Sequence, residues 1–486
     1  MRTNPHILEI NTARWLAILS RRYGKKMTIC HIPDEALDNI KAGGFDAVWL
    51  MGLWQRSPKA LEIARNHAEI SRAVSFQAPG YQKEDITASP YAVYDYSVDR
   101  DMGTEDGLIK LKKRLNDRGI MLLLDFVGNH FAVDHPKTLT DPDLFINTGT
   151  TPPVSHPDWF FKTDNGVYIA HGRDPFFPPW ADTAQLNYFN PKTQDFMLQT
   201  LERVASFCDG VRCDMSMLSL NKVHHDTWWQ FLKGDKPREE FWTRALARIK
   251  DKYPSFVFIA EVYWGLEWDI QELGFDYTYD KVLYDRLRFS SAENIKAHLG
   301  AEHLYQMRSI RFISNHDEES ALKAFGRDKS LAAAVLMSTI PGARMFYIQQ
   351  ILGYKTSFPI QYVGPVLEQD IDKSIHEFYS GLLAITNNPS FHGGQWTLKQ
   401  VSQVNDSETY KNVLTWEWAQ GLEYKLVVIN YSDVQSVCKV PFKIKCKSIV
   451  CDFPVKQTDL PSEDICKNGL TLELKPYESR IYTLYL

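Results

Sequence analysis

The chain has 486 residues, of which 44% are hydrophobic, 13% aromatic and 24% charged, enough to bury a large core and fill two or three domains. A formal charge of −5 excludes a nucleic acid or an anionic membrane as the main partner, because either needs a dense basic face. The same composition excludes a disordered chain.

From the N-terminus, the apolar stretch 7–19 is broken by Glu9, Asn11 and Arg14, so no secretory signal is expected. No uninterrupted apolar run approaches the ~18 to 20 residues of a spanning helix, and no membrane segment is expected. Short apolar runs then recur at 7–10, 47–51, 121–124, 256–260, 311–313 and 345–348, and read as strands buried on both faces. Helical patterns lie between them. Leu108, Leu111 and Leu115 oppose Lys112, Lys113 and Arg114, and Met197, Leu201, Val204, Ala205 and Cys208 follow an Asn190-Pro191 start. Alternation of this kind predicts a parallel sheet. From about 131 to 187 the chain turns rich in Pro, Asp, Thr and aromatics, which predicts a long insertion after the strand at 121–124. Beyond about 389 the period changes to alternating strands, as at 424–429 and 479–484, predicting an antiparallel β domain. Seven cysteines, Cys30, Cys208, Cys213, Cys438, Cys446, Cys451 and Cys466, include no C-x-x-C pair. They read as reduced thiols and favour a cytoplasmic location.

Carboxylates sit just beyond several of these strands: Asp125, Asp214, Glu261 and Asp317. In a parallel barrel such ends converge on one face, so acids distant in sequence meet around one pocket. A single acid there is ordinarily a helix cap. Four in succession, joined by His130 and His316, exceed what capping explains.

These residues form a recognisable pattern. Asp125-Phe-Val-Gly-Asn129-His130, Gly210-Val-Arg212-Cys-Asp214, Ala260-Glu261 and Ser314-Asn315-His316-Asp317 resemble, in order and spacing, the four signature regions of the α-amylase family of glycoside hydrolases, family 13. The segment Ser89-Pro-Tyr91-Ala-Val-Tyr-Asp95-Tyr96 resembles that family's Gly-Tyr…Asp-Tyr segment. The resemblance implies a (β/α)8 TIM barrel formed by residues 1–130 and 188–388, an inserted domain over 131–187, and a C-terminal β-sandwich over 389–486. It also implies Asp214 as nucleophile, Glu261 as general acid/base and Asp317 as the third carboxylate, holding sugar hydroxyls. His130 and His316 would bond hydroxyls at the cleavage point and Tyr91 would stack on the sugar face. Asp95 would close the pocket of an exo-acting enzyme, or simply form a turn. Arg212 would keep the nucleophile charged, or serve as a core ion pair.

Two departures from the family pattern stand out. Gln185, in Thr183-Ala-Gln-Leu-Asn187, stands where many α-amylases carry an acidic calcium ligand alongside Asn129, so no metal or other cofactor is expected. Met215-Ser-Met-Leu218 replaces a Lys-His pair that touches the sugar beyond the cleaved bond, which implies an unusual acceptor side. Trp159, Trp180, Trp264 and Trp268 are candidate sugar platforms, with packing of the inserted domain the expected role for most of them, and His224-His225 reads as surface. The expected function is a retaining α-glycosidase acting on α-linked oligosaccharides or polysaccharides. The alternatives are a transglycosidase or glycosyl isomerase of the same family and, last, a non-catalytic glycan-binding barrel. No phosphate loop or dinucleotide fingerprint competes, and the oligomeric state is left open.

Overall fold

The computed structural model describes residues 1–367, 370–441, 446–454, 457–460, 465 and 467–485; Cys466 lies outside the described residues. Eight parallel strands close into a barrel: β1 (His6–Asn11), β2 (Ala47–Met51), β3 (Met121–Val127), β4 (Gly210–Asp214), β5 (Val257–Ala260), β6 (Tyr277–Tyr279), β7 (Ser309–Arg311) and β8 (Ala343–Tyr347). Each strand pairs with its successor in the chain, and β8 closes on β1 with Ile7 opposite Met345. The apolar runs form strands because both faces are covered, one by barrel interior and one by helices. Gly210 opens β4 between Leu123 of β3 and Val257 of β5. A Cβ there would meet the Val257 carbonyl oxygen at 2.5 Å and Leu123 at 2.7 Å, so no larger residue fits.

The helices follow their sequence signals. Glu105–Asn116 starts at Thr104, whose hydroxyl accepts the Gly107 N–H at 3.1 Å, and buries Leu108, Leu111 and Leu115. Pro191–Phe207 starts at Asn190, which accepts from Lys192. Two details differ from the sequence reading. Strand β6, Tyr-Thr-Tyr, is too short to stand out as an apolar run. Strand β7 begins two residues before the apolar run at 311–313, because buried Ser309 takes part in the ladder with Thr278.

Between β3 and the helix Pro191–Phe207 the chain leaves and returns through one short antiparallel ladder, with His130 opposite Gln185 and Ala132 opposite Thr183. This ladder fixes the root of the insertion over the strands' C-terminal ends. Phe160–Lys162 and Tyr168–Ala170 pair within it. After the barrel come β9 (Gln395–Leu398), β10 (Val413–Gln420), β11 (Glu423–Asn430), β12 (Ser436–Val440), β13 (Ser448–Phe453), β14 (Gln457–Leu460), β15 (Leu470–Leu474) and β16 (Ser479–Tyr485). They form a six-stranded antiparallel sheet, β9-β10-β11-β16-β13-β14, and a β12-β15 pair. Buried bonds seat this domain on the barrel, among them Trp418 Nε1 to the Thr339 carbonyl at 2.6 Å, Tyr431 OH to Leu287 at 2.9 Å, and Arg344 Nη2 to Phe391 at 2.7 Å. No helix among the described residues is long and apolar enough to cross a membrane.

Candidate active site

Arg212 and Asp214 lie two residues apart on β4, so both side chains leave the same face of the strand. That face is the barrel interior. Arg212, whose side chain is 1% exposed, places Nη1 2.6 Å from Asp214 Oδ1 and Nη2 2.7 Å from Glu261 Oε2. One guanidinium therefore spans two carboxylates from adjacent strands. The rings of Trp49, Tyr91 and Tyr279 stand 5.2, 5.2 and 5.7 Å from its central carbon, within cation–π range.

Glu261, one residue beyond β5, is held at both oxygens. Oε1 accepts from Tyr263 OH at 2.7 Å and Oε2 from the Met215 backbone N–H at 2.8 Å. Met215 reaches that position in a left-handed conformation, φ 42°, which a non-glycine residue rarely adopts and which here aims its N–H at the carboxylate. Burial pushes Glu261 up to about 7, against the pull of Arg212. Burial also raises Asp214, opposed by the Arg212 contact. Asp317 follows β7 in a turn made by Asn315, whose Oδ1 accepts the N–H groups of Asp317 and Glu318 at 2.9 and 2.8 Å. Its side chain is 45% exposed. Partial desolvation opposes its charge, but His316, 2.9 Å away, overcomes this and holds the carboxyl below the usual range.

Asp214, Glu261 and Asp317 line one cavity of about 400 Å³ together with Tyr91, His130, Trp180, Met215 and Tyr263. His130 is neutral there, since burial pushes it down to about 4, and its ring lies 5.2 Å from Trp180. Among the expected binding residues, Tyr91 and His130 thus join the carboxylates at the cavity wall.

Two residues, His316 and Asp95, are placed differently. His316 is not at the wall: its side chain is fully buried behind Asp317 and Tyr91, bonded to both and to Glu9. Arg212, buried beneath the carboxylates, is both the partner of the nucleophile and a core ion pair. Asp95 is exposed on the strand Val93–Val98, opposite Gln55, and bears on His135 rather than on the carboxylates. It is not among the residues lining the cavity, while its buried neighbour Tyr96 accepts the Val127 N–H. Asp125 accepts from Trp49 Nε1 and Gly52 N–H at 3.1 and 2.6 Å. It anchors the β2 end and is not among the residues lining the cavity.

Of the aromatic candidates, Trp180 lines the cavity. Trp159 packs under Arg173 and against Trp228; Trp264 is exposed beside Phe176, and Trp268 lies near Tyr305. His224 is buried, contrary to the surface reading, and its Nε2 accepts the Tyr188 N–H at 3.3 Å. It lies on a helix whose inward face the polar sequence around it conceals; His225 is exposed. The sequence reading also missed Glu9, a lone acid in an apolar strand, and Tyr263, two residues beyond Glu261.

Calcium does not fit the Asn129–Gln185 position. Gln185 Nε2 donates to Asn129 Oδ1 at 2.9 Å and Asn129 Nδ2 donates to Gln185 Oε1 at 3.2 Å, so each oxygen that could bind a cation already faces an N–H.

The sequence is 25% identical to alpha-amylase MalA of Haloarcula japonica over 333 residues, 66% of this chain and 41% of that protein. It is 24% identical to alpha-amylase 3 of Dictyoglomus thermophilum over 372 residues, 71% and 64% of the two chains. The chain therefore spans less than two thirds of the length of these relatives. In fold it is similar to a maltogenic alpha-amylase, AmyB, from Thermotoga neapolitana, with a TM-score of 0.67 and 19% identity over 100% and 99% of the two chains. The same TM-score relates it to a trehalose-6-phosphate hydrolase of Bacillus licheniformis, at 16% identity over 100% and 99%. Residues 34–413, well over half of the chain, match the family model for the alpha amylase catalytic domain, and with the barrel and its carboxylates this makes the chain a member of the α-amylase family.

Proposed function

We propose that the protein is a retaining α-glycosidase that cleaves α-glucosidic bonds in oligosaccharides or polysaccharides through a covalent glycosyl-enzyme intermediate. The observation that carries this reading is the sharing of Arg212 between Asp214 and Glu261 at 2.6 and 2.7 Å. It brings two carboxyl groups close together from neighbouring strands, and a double displacement in general needs a close pair, about 5 to 5.5 Å apart. In this reaction Asp214, ionised beside Arg212, attacks the anomeric carbon while Glu261 donates its proton to the leaving oxygen. Glu261 then takes a proton from water as the intermediate is hydrolysed. A value of about 7 for Glu261 suits a group that must both give and take a proton near neutrality. Asp317 and the neutral His130 would bind hydroxyls of the reacting sugar, with Tyr91 and Trp180 supplying apolar ring faces.

Incubation with maltose, maltooligosaccharides, trehalose, sucrose and starch, followed by product chromatography, identifies the bond cleaved. Proton NMR of the nascent sugar tests the mechanism: α-anomer appears first if Asp214 is the nucleophile, and initial β-anomer overturns that role. Transfer to a sugar acceptor is the second reading, favoured by the apolar Met215 at the cavity wall beside the nucleophile. Accumulation of longer oligosaccharides at high maltotriose concentration would identify it.

A further inference from the structure

Glu9 has no ordinary structural reason to be where it is. It sits in the middle of β1 between Leu8 and Ile10, its side chain fully buried in the barrel. A carboxylate there is expensive unless it is paired, and among the described residues its Oε2 has no hydrogen-bond partner. Its Oε1 accepts from His316 twice, from the backbone N–H at 3.2 Å and from ring Nδ1 at 2.6 Å. The other ring nitrogen, Nε2, lies 2.9 Å from Asp317 Oδ2 and 2.7 Å from Tyr91 OH. A neutral imidazole carries one N–H. In this setting it would turn a lone pair toward one of two carboxylates, whereas an imidazolium satisfies both.

We propose that Glu9 is a positioning residue. It holds His316 as an imidazolium and, through that ring, fixes Asp317 and Tyr91 in the orientation they present to the cavity. The proposal rests on the reading of that cavity as the sugar site. The charged and titratable groups around the ring are Glu9 from β1, Asp317 from the loop after β7, Tyr91 from the segment before Val93–Val98, and Asp214 and Arg212 from β4. Asp125 of β3 also bears on it, and Trp49 of β2 sets its ring edge 5.4 Å away. Burial would lower His316, but Asp317 and Glu9 outweigh it and hold the ring at about 10. Burial raises Glu9 in turn, and the imidazolium opposes it.

Glu9→Gln keeps the shape and an oxygen that can accept from Nδ1, and removes the charge. Nitrogen-15 NMR of histidine-labelled protein reads the two ring nitrogens of His316 directly. In the wild type both are expected to stay protonated from pH 6 to 9. In the Glu9→Gln protein the ring is expected to lose a proton within that range. With the carboxylate and the tyrosine less firmly held, kcat/KM is expected to fall about 10- to 100-fold, the scale of a small misplacement at a reacting centre. A neutral His316 in the wild type at pH 7 overturns the proposal without any variant. An unchanged His316 titration in Glu9→Gln, or an unchanged kcat/KM, overturns it as well. If the wild type cleaves no α-glucoside, the functional reading fails, and the NMR titration still decides the protonation of His316 by Glu9.

Discussion

Replacing Arg212 by Met is the most direct test of the shared-cation arrangement. Met fits the space between Trp49, Tyr91 and Tyr279 and leaves Asp214 and Glu261 facing each other without the guanidinium that touches both. Burial already raises Asp214 and Arg212 is the main group opposing it, so without the guanidinium Asp214 takes up a proton as Glu261 does. At pH 7, protonating a carboxyl whose ordinary pKa is about 3.9 costs roughly three units at 1.36 kcal/mol each, or about 4 kcal/mol. This agrees with the ~3 to 5 kcal/mol typical of breaking a buried pair. A neutral Asp214 is no nucleophile, and kcat is expected to fall by at least about a thousandfold. The pH dependence has a definite sign. The variant's folded-state pKa is raised above the unfolded value, so its deficit is largest at pH 7.5 and shrinks as pH falls toward 4.5, where the unfolded chain also binds the proton. Calorimetric unfolding of both proteins at the two pH values, with turnover on the best substrate, measures each part. An equal deficit at pH 7.5 and 4.5, or near-normal kcat, would refute the reasoning.

Asp214→Asn, Glu261→Gln and Asp317→Asn are each expected to lower kcat by about a thousandfold or more, with far-UV circular dichroism unchanged; a variant near wild-type turnover loses its assigned role. Because Glu261 must hold its proton to act as an acid and its value is about 7, kcat/KM should decline about tenfold per unit above that pH. A profile flat to pH 9 would contradict this. Asp95→Ala is expected to keep kcat/KM on maltotriose within about twofold, since Asp95 is exposed and not among the residues lining the cavity; a large loss would bring it back into the site. Millimolar EDTA should leave the unfolding temperature unchanged, because the Asn129 and Gln185 amides bond each other, and a clear drop would show a bound metal.

The carboxylates were legible in sequence for a topological reason: each follows a strand whose C-terminal end must reach the same face of the barrel. Two limits follow from the same physics. Strand β6 is three residues with a threonine at its centre, so its burial comes from tertiary packing that no local apolar run announces. Glu9 and His316 are 307 positions apart, and nothing local in β1 says which partner its acid will find. His316 shows a finer limit. Motif matching brought it to the right loop, but its side chain turns inward because Glu9 waits there. For Asp95, the pairing that places it, Gln55 opposite Asp95, is invisible in the segment alone.

The seating of the C-terminal sheet has a consequence for how the molecule comes apart. Leu414, Trp416, Trp418, Val427, Ile429 and Ile481 belong to the same continuous apolar cluster as Ile7 and Phe346 of the barrel. The bonds donated by Trp418, Tyr431 and Arg344 cross that seam where water does not reach. Pulling the sheet away would strand their carbonyl partners at Thr339, Leu287 and Phe391 and bare a broad apolar face on each side. Heating is therefore expected to melt barrel and sheet in one cooperative step. A chain cut at residue 388 would be a barrel with an open wound, prone to aggregate. Exchanging this sheet for that of a relative would require the barrel's helical surface around 331–339 to be exchanged with it.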